Sequence, residues 1–479
     1  MKLTRLYVPD YYLLKGLELN FSERISLLIG ENGSGKSSII EVLAYIFGHL
    51  HKYFVLKDRT AAFIDGYEIE YETQYNNTFY HVYIKSQYQG GSNPFNPIIK
   101  INNEQLTTTQ IEKKYGEFTN FLPTKTILFY SGVTENLYKL NEHFEKKYVA
   151  AIIKHNNPYS LKPLCLPVVN PFCYIKKEYL PIIILSLIVS REGKKCLLED
   201  KIQIDLDTLD FSITLGKPSW SKQDTYPWEA RGLVAQTFIE NLFSNCDYYA
   251  DINENRTVFK FTYWGVHTYE QLINQYDASA ESIFQILDVL MCSDFIKEIE
   301  IKWKVNDEEI DYNRLSEGEK QLLLTWGMNF IWKNNNLLYL YDEPDAALHP
   351  KWQREFISNV TTAIGDSACA VITTHSPIML GNAQKADVKI MNDGKPLDVT
   401  PKYYGKNNIA ILSELMGVSE RVQEVSDKLH ALFVEIDNEN AAIAKEKYAE
   451  LESILGADDE DMVRAKMLIE FMEDIEYKS

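Results

Sequence analysis

Gly30-Glu31-Asn32-Gly33-Ser34-Gly35-Lys36-Ser37 fits the pattern G-x-x-x-x-G-K-S. Its three glycines let a short backbone stretch curl until several N–H groups face one anion. Asn32, Gly33, Ser34, Gly35 and Ser38 complete that cradle. Lys36 is placed to reach the β- and γ-phosphates of a nucleotide, and the Ser37 hydroxyl to hold Mg²⁺. Far along the chain, Asp342-Glu343 closes the apolar run Leu337 to Leu340. Asp342 is the expected partner of Ser37 at the Mg²⁺, through water, because Mg²⁺ keeps several waters. Glu343 is the expected base or polariser for the attacking water, so Lys36 and Glu343 form the first catalytic set.

Such groups need rigid elements beneath them. Ile25 to Ile29 is a short apolar run ending on glycine, which predicts a buried strand, and Ser37 to Leu50 carries apolar residues at helical spacing. A helix starting near Lys36 aims its positive dipole end at the phosphates. Residues 2 to 9 alternate as an edge strand would, and residues 67 to 86 predict two strands turning at Tyr75-Asn76-Asn77. Lys125 to Tyr130 predicts another buried strand. Beyond it, helices are expected near 135–153, 176–189, 227–242 and 269–290, with strand-like patches at 196–215 and 248–264. Strands and helices then alternate over 299 to 395, and the remainder is helical and acidic, with Asp458 to Asp461 at the start of a final helix.

With 479 residues the chain exceeds one compact core, and 45% hydrophobic with 24% charged residues reads as globular. A net charge of −19 disfavours a protein coated in DNA. Lys146-Lys147 with Lys154, and Lys194-Lys195, are expected to be solvated faces. The longest apolar run, Pro181 to Val189, is too short to span a bilayer, and the N-terminus lacks the apolar stretch of a signal peptide. A cytoplasmic protein without membrane contact is the expectation. No cysteine pair has Cys-x-x-Cys spacing, so core thiols are expected rather than a disulfide or zinc framework.

Three more segments resemble parts of ABC and SMC ATPases. Leu315-Ser316-Glu317-Gly318-Glu319 resembles the signature written LSGGQ, with Glu317 and Glu319 replacing a glycine and the glutamine. Ser316 and Gly318 are its expected phosphate-binding pair, acting on ATP held by another subunit. Ala346-Ala347-Leu348-His349 resembles the dimer-crossing D-loop, though His349 stands where the family usually has Asp. His375, in Ile372-Thr373-Thr374-His375-Ser376, resembles the switch histidine that senses the γ-phosphate. The glutamine of a Q-loop is missing. The strand that should precede it ends at Tyr130-Ser131-Gly132, so either Ser131 substitutes or the contact is lost.

IGENGSGKSS, LSEGEKQ, LYDEPDAALHP and ITTHSP together resemble overcoming-lysogenisation-type ATPases of bacterial antiphage defence. The nearest resemblance is to the ATPase subunit of Septu systems (PtuA, including its retron-associated form). This implies an α/β fold: an ABC-type P-loop core with a mixed sheet flanked by helices, an α+β insertion lobe and a helical C-terminal extension. Residues 1–135 and 299–404 would be the two halves of the core. Residues 136–298 would be the lobe, and 405–479 an acidic extension for assembly or docking. The resemblance also implies ATP and Mg²⁺ as cofactors, a homodimer within a larger homo-oligomer, and a separate HNH-type nuclease. Nucleic acid would be met through that complex. The chain shows no nuclease of its own, and Asp205-Leu206-Asp207 reads as a solvated edge. The alternative is an SMC-like DNA-repair ATPase acting directly on DNA, which calls for coiled-coil arms and a basic face that the sequence does not show. Tyr11 and Tyr12 are equal candidates for stacking on adenine.

Overall fold

A computed structural model describes residues 1–55, 66–87, 97–131, 135–154, 170–222, 246–253, 256–261, 279–332, 336–381, 386–397 and 421–476, with isolated positions between them. Residues 1–400 and 401–479 form two separate compact units. Along the first, β1 (Lys2–Tyr11) and β2 (Leu14–Asn20) precede β3 (Ile25–Gly30) and α1 (Lys36–Phe54). Strands β4 (Gly66–Tyr75), β5 (Thr78–Gln87), β6 (Ile98–Ile101), β7 (Glu104–Leu106) and β8 (Lys125–Tyr130) follow. Next come α2 (Glu135–Lys154), β9 (Phe172–Tyr174), α3 (Leu180–Ile188), β10 (Asp210–Gly216), β11 (Tyr248–Asn253), β12 (Arg256–Phe261) and α4 (Ala280–Cys292). The unit closes with β13 (Ile296–Val305), β14 (Glu308–Asp311), α5 (Glu317–Ile331), β15 (Leu337–Asp342), α6 (Pro350–Ile364), β16 (Cys369–Thr373), β17 (Ala386–Asn392) and β18 (Lys395–Pro396).

The central sheet runs β18-β17-β3-β16-β15-β8-β9 and is parallel apart from β18. Its middle strands β3, β15 and β16 are buried at every position, as a parallel sheet covered on both faces requires. An antiparallel sheet, β2-β1-β4-β5-β6-β7, stands beside it. Almost all of α1 is buried, and its apolar side chains share one core with both sheets. That burial, more than propensity, holds the N-terminal end of α1 still. A third sheet, β11-β12-β10-β13-β14, combines strands from before and after residue 298.

Two local expectations change. β1 pairs with β2 on one side and β4 on the other, so it is an interior strand. Its alternation reflects one buried face, which edge and interior antiparallel strands share. Residues 196–199 are helical, and strand begins only at Asp210. The turn at Asn76-Asn77 has both residues at positive φ, as a two-residue hairpin needs. Most of the helix expected at 227–242 and most of 262–278 lie outside the described residues. Asp205 accepts from the Asp207 N–H in an exposed turn, and Lys146 pairs with Glu142 on a solvated face of α2. Among the described residues no helix is long and apolar enough to cross a membrane.

Among the described residues, the second unit holds three helices, α7 (Gln423–Asp437), α8 (Ala441–Leu455) and α9 (Glu460–Glu476), around Leu429, Leu432, Leu451 and Met462. Asp459 accepts from the Asp461 N–H at the start of α9, and Arg421 bridges Asp459 and Asp461.

Candidate active site

Strands β3, β15 and β16 end side by side at Gly30, Asp342 and Thr373, so everything following them gathers at one edge of the sheet. Gly30 has φ +148, and a Cβ there would collide with the Met391 carbonyl on β17. Gly35, at φ +96, is the N-cap of α1 and leaves that helix end without a side-chain cap. The β17–β18 turn buttresses the loop, since the Gly394 N–H donates to the Ser34 carbonyl at 3.0 Å. Within the curl, Lys36 Nζ donates to the carbonyls of Gly30 (3.0 Å) and Glu31 (2.8 Å). Burial pulls this ammonium below its ordinary pKa, and the charges of Glu343 and Asp342 oppose that pull. Asn32 and Gly33 are exposed at the crest, Ser34 is buried, and Ser37 and Ser38 are half-buried at the helix start.

Asp342 is buried, and Thr373 Oγ1 donates to its Oδ1 at 2.8 Å. Burial raises the Asp342 carboxyl above its usual range; the Thr373 and Ser37 hydroxyls counter this, while Glu343 and Glu41 add to it. A hydroxyl and a desolvated carboxylate are hard oxygen donors, the set that suits Mg²⁺. Among the described residues no group of three or more His, Cys, Asp or Glu is arranged to hold a metal, so an ion here would rely on Ser37, Asp342 and phosphate oxygens.

Glu343 sits at φ +47, a strained backbone for a non-glycine residue, and its N–H donates to Thr373 Oγ1 at 2.9 Å. His375 Nε2 lies 3.3 Å from Glu343 Oε1. Burial and the charge of Lys36 lower the His375 pKa, so a neutral ring donates to the carboxylate at neutral pH. Thr374 donates to Asp345 Oδ2 at 2.8 Å, and burial lifts that carboxyl to about 6. Gln321 on α5 reaches the Glu343 carbonyl (3.5 Å) and accepts from the Ala347 N–H (3.2 Å), joining α5 to the turn after β15.

Ser316 is the N-cap of α5. Its Oγ donates to Glu319 Oε2 at 2.7 Å, and the Glu319 N–H returns a bond to Ser316 Oγ in a complete capping box. Gly318 is needed for packing as well as for any phosphate: a Cβ there would lie 2.7 Å from the Ala347 carbonyl. His349 is the N-cap of α6, its Nδ1 accepting from the Lys351 N–H at 3.2 Å. An aspartate at this position would make the same kind of cap.

Sequence reasoning missed Thr373, Gln321 and Glu41. The pair Thr373-Thr374 before His375 was visible, but only register shows that one threonine faces Asp342. Tyr11 is committed to Glu41, whereas Tyr12 is 68% exposed at φ +47. Ser131 is exposed, and 132–134 lie outside the described residues.

A family model for an AAA ATPase domain matches residues 1–162 and 236–380. The Retron Vc95 probable ATPase of Vibrio cholerae serotype O1 biovar El Tor is 22% identical over 457 residues, covering 90% of this chain and 82% of that protein. The DNA replication and repair protein RecF of Natranaerobius thermophilus is 26% identical over 159 residues, covering 33% of this chain and 38% of RecF. Among solved structures, the SMC head domain from Thermotoga maritima aligns with 84% of this chain and 100% of its own at 14% identity and a TM-score of 0.34.

Proposed function

The chain belongs to the AAA ATPase domain family and is an ATPase; from this premise we propose that it is the ATP-hydrolysing subunit of an antiphage defence complex. In this reading ATP closes two copies head to tail within a larger oligomer, and the assembly regulates or scaffolds a separate nuclease of HNH type. The observation that carries the catalytic part is the gathering of Lys36, Ser37, Asp342, Glu343 and His375 at the ends of β3, β15 and β16.

Lys36 leaves the loop carbonyls for the β- and γ-phosphates, while the bare N–H groups of α1 bind their oxygens. A bound Mg²⁺ offsets the phosphate charge. Ser37 and Asp342 are the residues that would hold it. Glu343 accepts a hydrogen bond from water and orients it for in-line attack on the γ-phosphorus. His375 holds the Glu343 carboxylate in that orientation. Ser316 and Gly318 of the second copy cover the γ-phosphate.

The wider role draws on the likeness to the retron ATPase, which spans 90% of this chain, and on the motifs that resemble the Septu subunit PtuA. We assign residues 1–135 and 299–404 chiefly to the ATPase core, 136–298 chiefly to a lobe and 405–479 to partner docking; β9 of the lobe segment joins the central sheet, and β13 and β14 join the lobe's own sheet. The DNA-repair alternative draws on RecF, whose likeness covers 33% of the chain.

Light scattering on wild type and Glu343→Gln, with and without Mg-ATP and with the neighbouring gene product co-expressed, tests the proposal. The expected result is a larger ATP-dependent species that the variant cannot leave and that retains the neighbour. A mass indifferent to nucleotide overturns ATP-driven closure. ATP turnover stimulated by DNA without any partner protein supports the alternative.

A further inference from the structure

Glu41 stands one helical turn beyond Ser37 on α1, so both side chains share a face of the helix. The residue is buried, 7% exposed, and its carboxylate is gripped from two strands. Tyr11 at the end of β1 donates to Oε2 at 2.9 Å, and Tyr130 at the end of β8 donates to Oε1 at 3.2 Å. Tyr130 is the register partner of Asp342 across β8 and β15, so both project toward the same side of the sheet. Tyr130 also ends the strand after which a glutamine was expected and is absent.

We propose that Glu41 is a positioning residue of the metal centre: its carboxylate accepts hydrogen bonds from the divalent cation's water shell, in place of the missing glutamine, and Tyr130 and Tyr11 fix its orientation. The proposal rests on the reading of Ser37 and Asp342 as the Mg-ATP site. Four features carry it. A carboxylate offers about four acceptor positions, and the two phenols occupy two, which leaves lone pairs for water. Mg²⁺ retains several waters that themselves need acceptors, and Ser37 with Asp342 can satisfy few of them. Glu41 is also close enough to Asp342 for its charge to act on that carboxyl, as an acceptor next to the ion must be. No lysine or arginine is hydrogen-bonded to Glu41 among the described residues, so a cation in the site would be the natural complement to its charge.

The test is the Mn²⁺ concentration needed for half-maximal binding of a fluorescent ATP analogue, read by anisotropy without turnover. Wild type is expected to show metal-dependent binding that Ser37→Ala abolishes. If Ser37→Ala binds like wild type, the underlying site reading fails. With that control in place, Glu41→Gln is expected to need roughly tenfold more Mn²⁺, the usual effect of removing an outer-shell partner. Tyr130→Phe keeps the ring, loses only the hydroxyl, and is expected to shift the midpoint in the same direction by a smaller factor. An unchanged Mn²⁺ midpoint in a folded Glu41→Gln overturns the proposal. Should Glu41→Gln not fold, an unchanged midpoint in Tyr130→Phe overturns it instead.

Discussion

α1 begins on a left-handed glycine with no side-chain cap and no acidic residue in its first turn, whereas α5 begins with a complete capping box and carries Glu317 and Glu319 there. Both starts are the kind of helix end that binds phosphate. Starting α1 on glycine forgoes only a few tenths of a kcal/mol of helix stability, and the free N–H groups are what an anion needs. At α5 the Glu319 N–H is already taken by Ser316 Oγ, and the Glu319 carboxylate stands at the helix start, accepting from the Ser316 N–H and Oγ. A phosphate arriving at α5 must displace a like charge. The start of α1 is therefore prepared to bind an anion by itself, and in the proposed dimer the start of α5 engages only when a second subunit brings a phosphate to it.

That contrast can be broken at either helix. Lys36→Ala removes the charge from the uncapped end. ATP affinity, measured by fluorescent-analogue titration, is expected to fall roughly 100-fold, the size of a lost charge-assisted hydrogen bond of about 3 kcal/mol. Ser316→Ala is expected to leave that affinity unchanged in the single subunit and to lower kcat about tenfold or more, in line with loss of a transition-state donor. It should also cost ~1 kcal/mol of stability in urea unfolding, because the cap is lost. A fall in single-subunit ATP affinity for Ser316→Ala would sink the assignment of Ser316 to the partner's nucleotide. Glu319→Gln gives the smallest effect. It keeps an acceptor for the cap and removes the competing charge, so ATP-driven assembly by light scattering should tighten about two- to fivefold, within the range of an exposed charge interaction. Assembly weakened by Glu319→Gln would mean the carboxylate helps closure instead of opposing it.

The chemistry with local signatures was legible in the sequence. The glycine spacing of the P-loop, the carboxylates ending an apolar strand and the histidine ending another each need only neighbours in the chain to be recognised. β8 appears at the predicted bounds, and α1 within a few residues of them, because their hydrophobic patterns are strong. The edge assignment of β1 failed for a physical reason: alternation reports which faces are buried, and says nothing about how many neighbours a strand has. Residues 196–199 were misread because a short apolar stretch has no period long enough to separate helix from strand.

Sequence alone determined the reaction class, the order of the ATPase motifs and the absence of the expected glutamine, since these depend on residue types at fixed local spacing. Tertiary structure decided how the site is held. It placed Thr373 between Asp342 and Glu343, Gln321 across the turn after β15, and Glu41 between Tyr11 and Tyr130. It also gave His349 the plain task of starting a helix. Each of these contacts, the His349 cap apart, joins residues from different elements through sheet order and register, which local spacing does not encode.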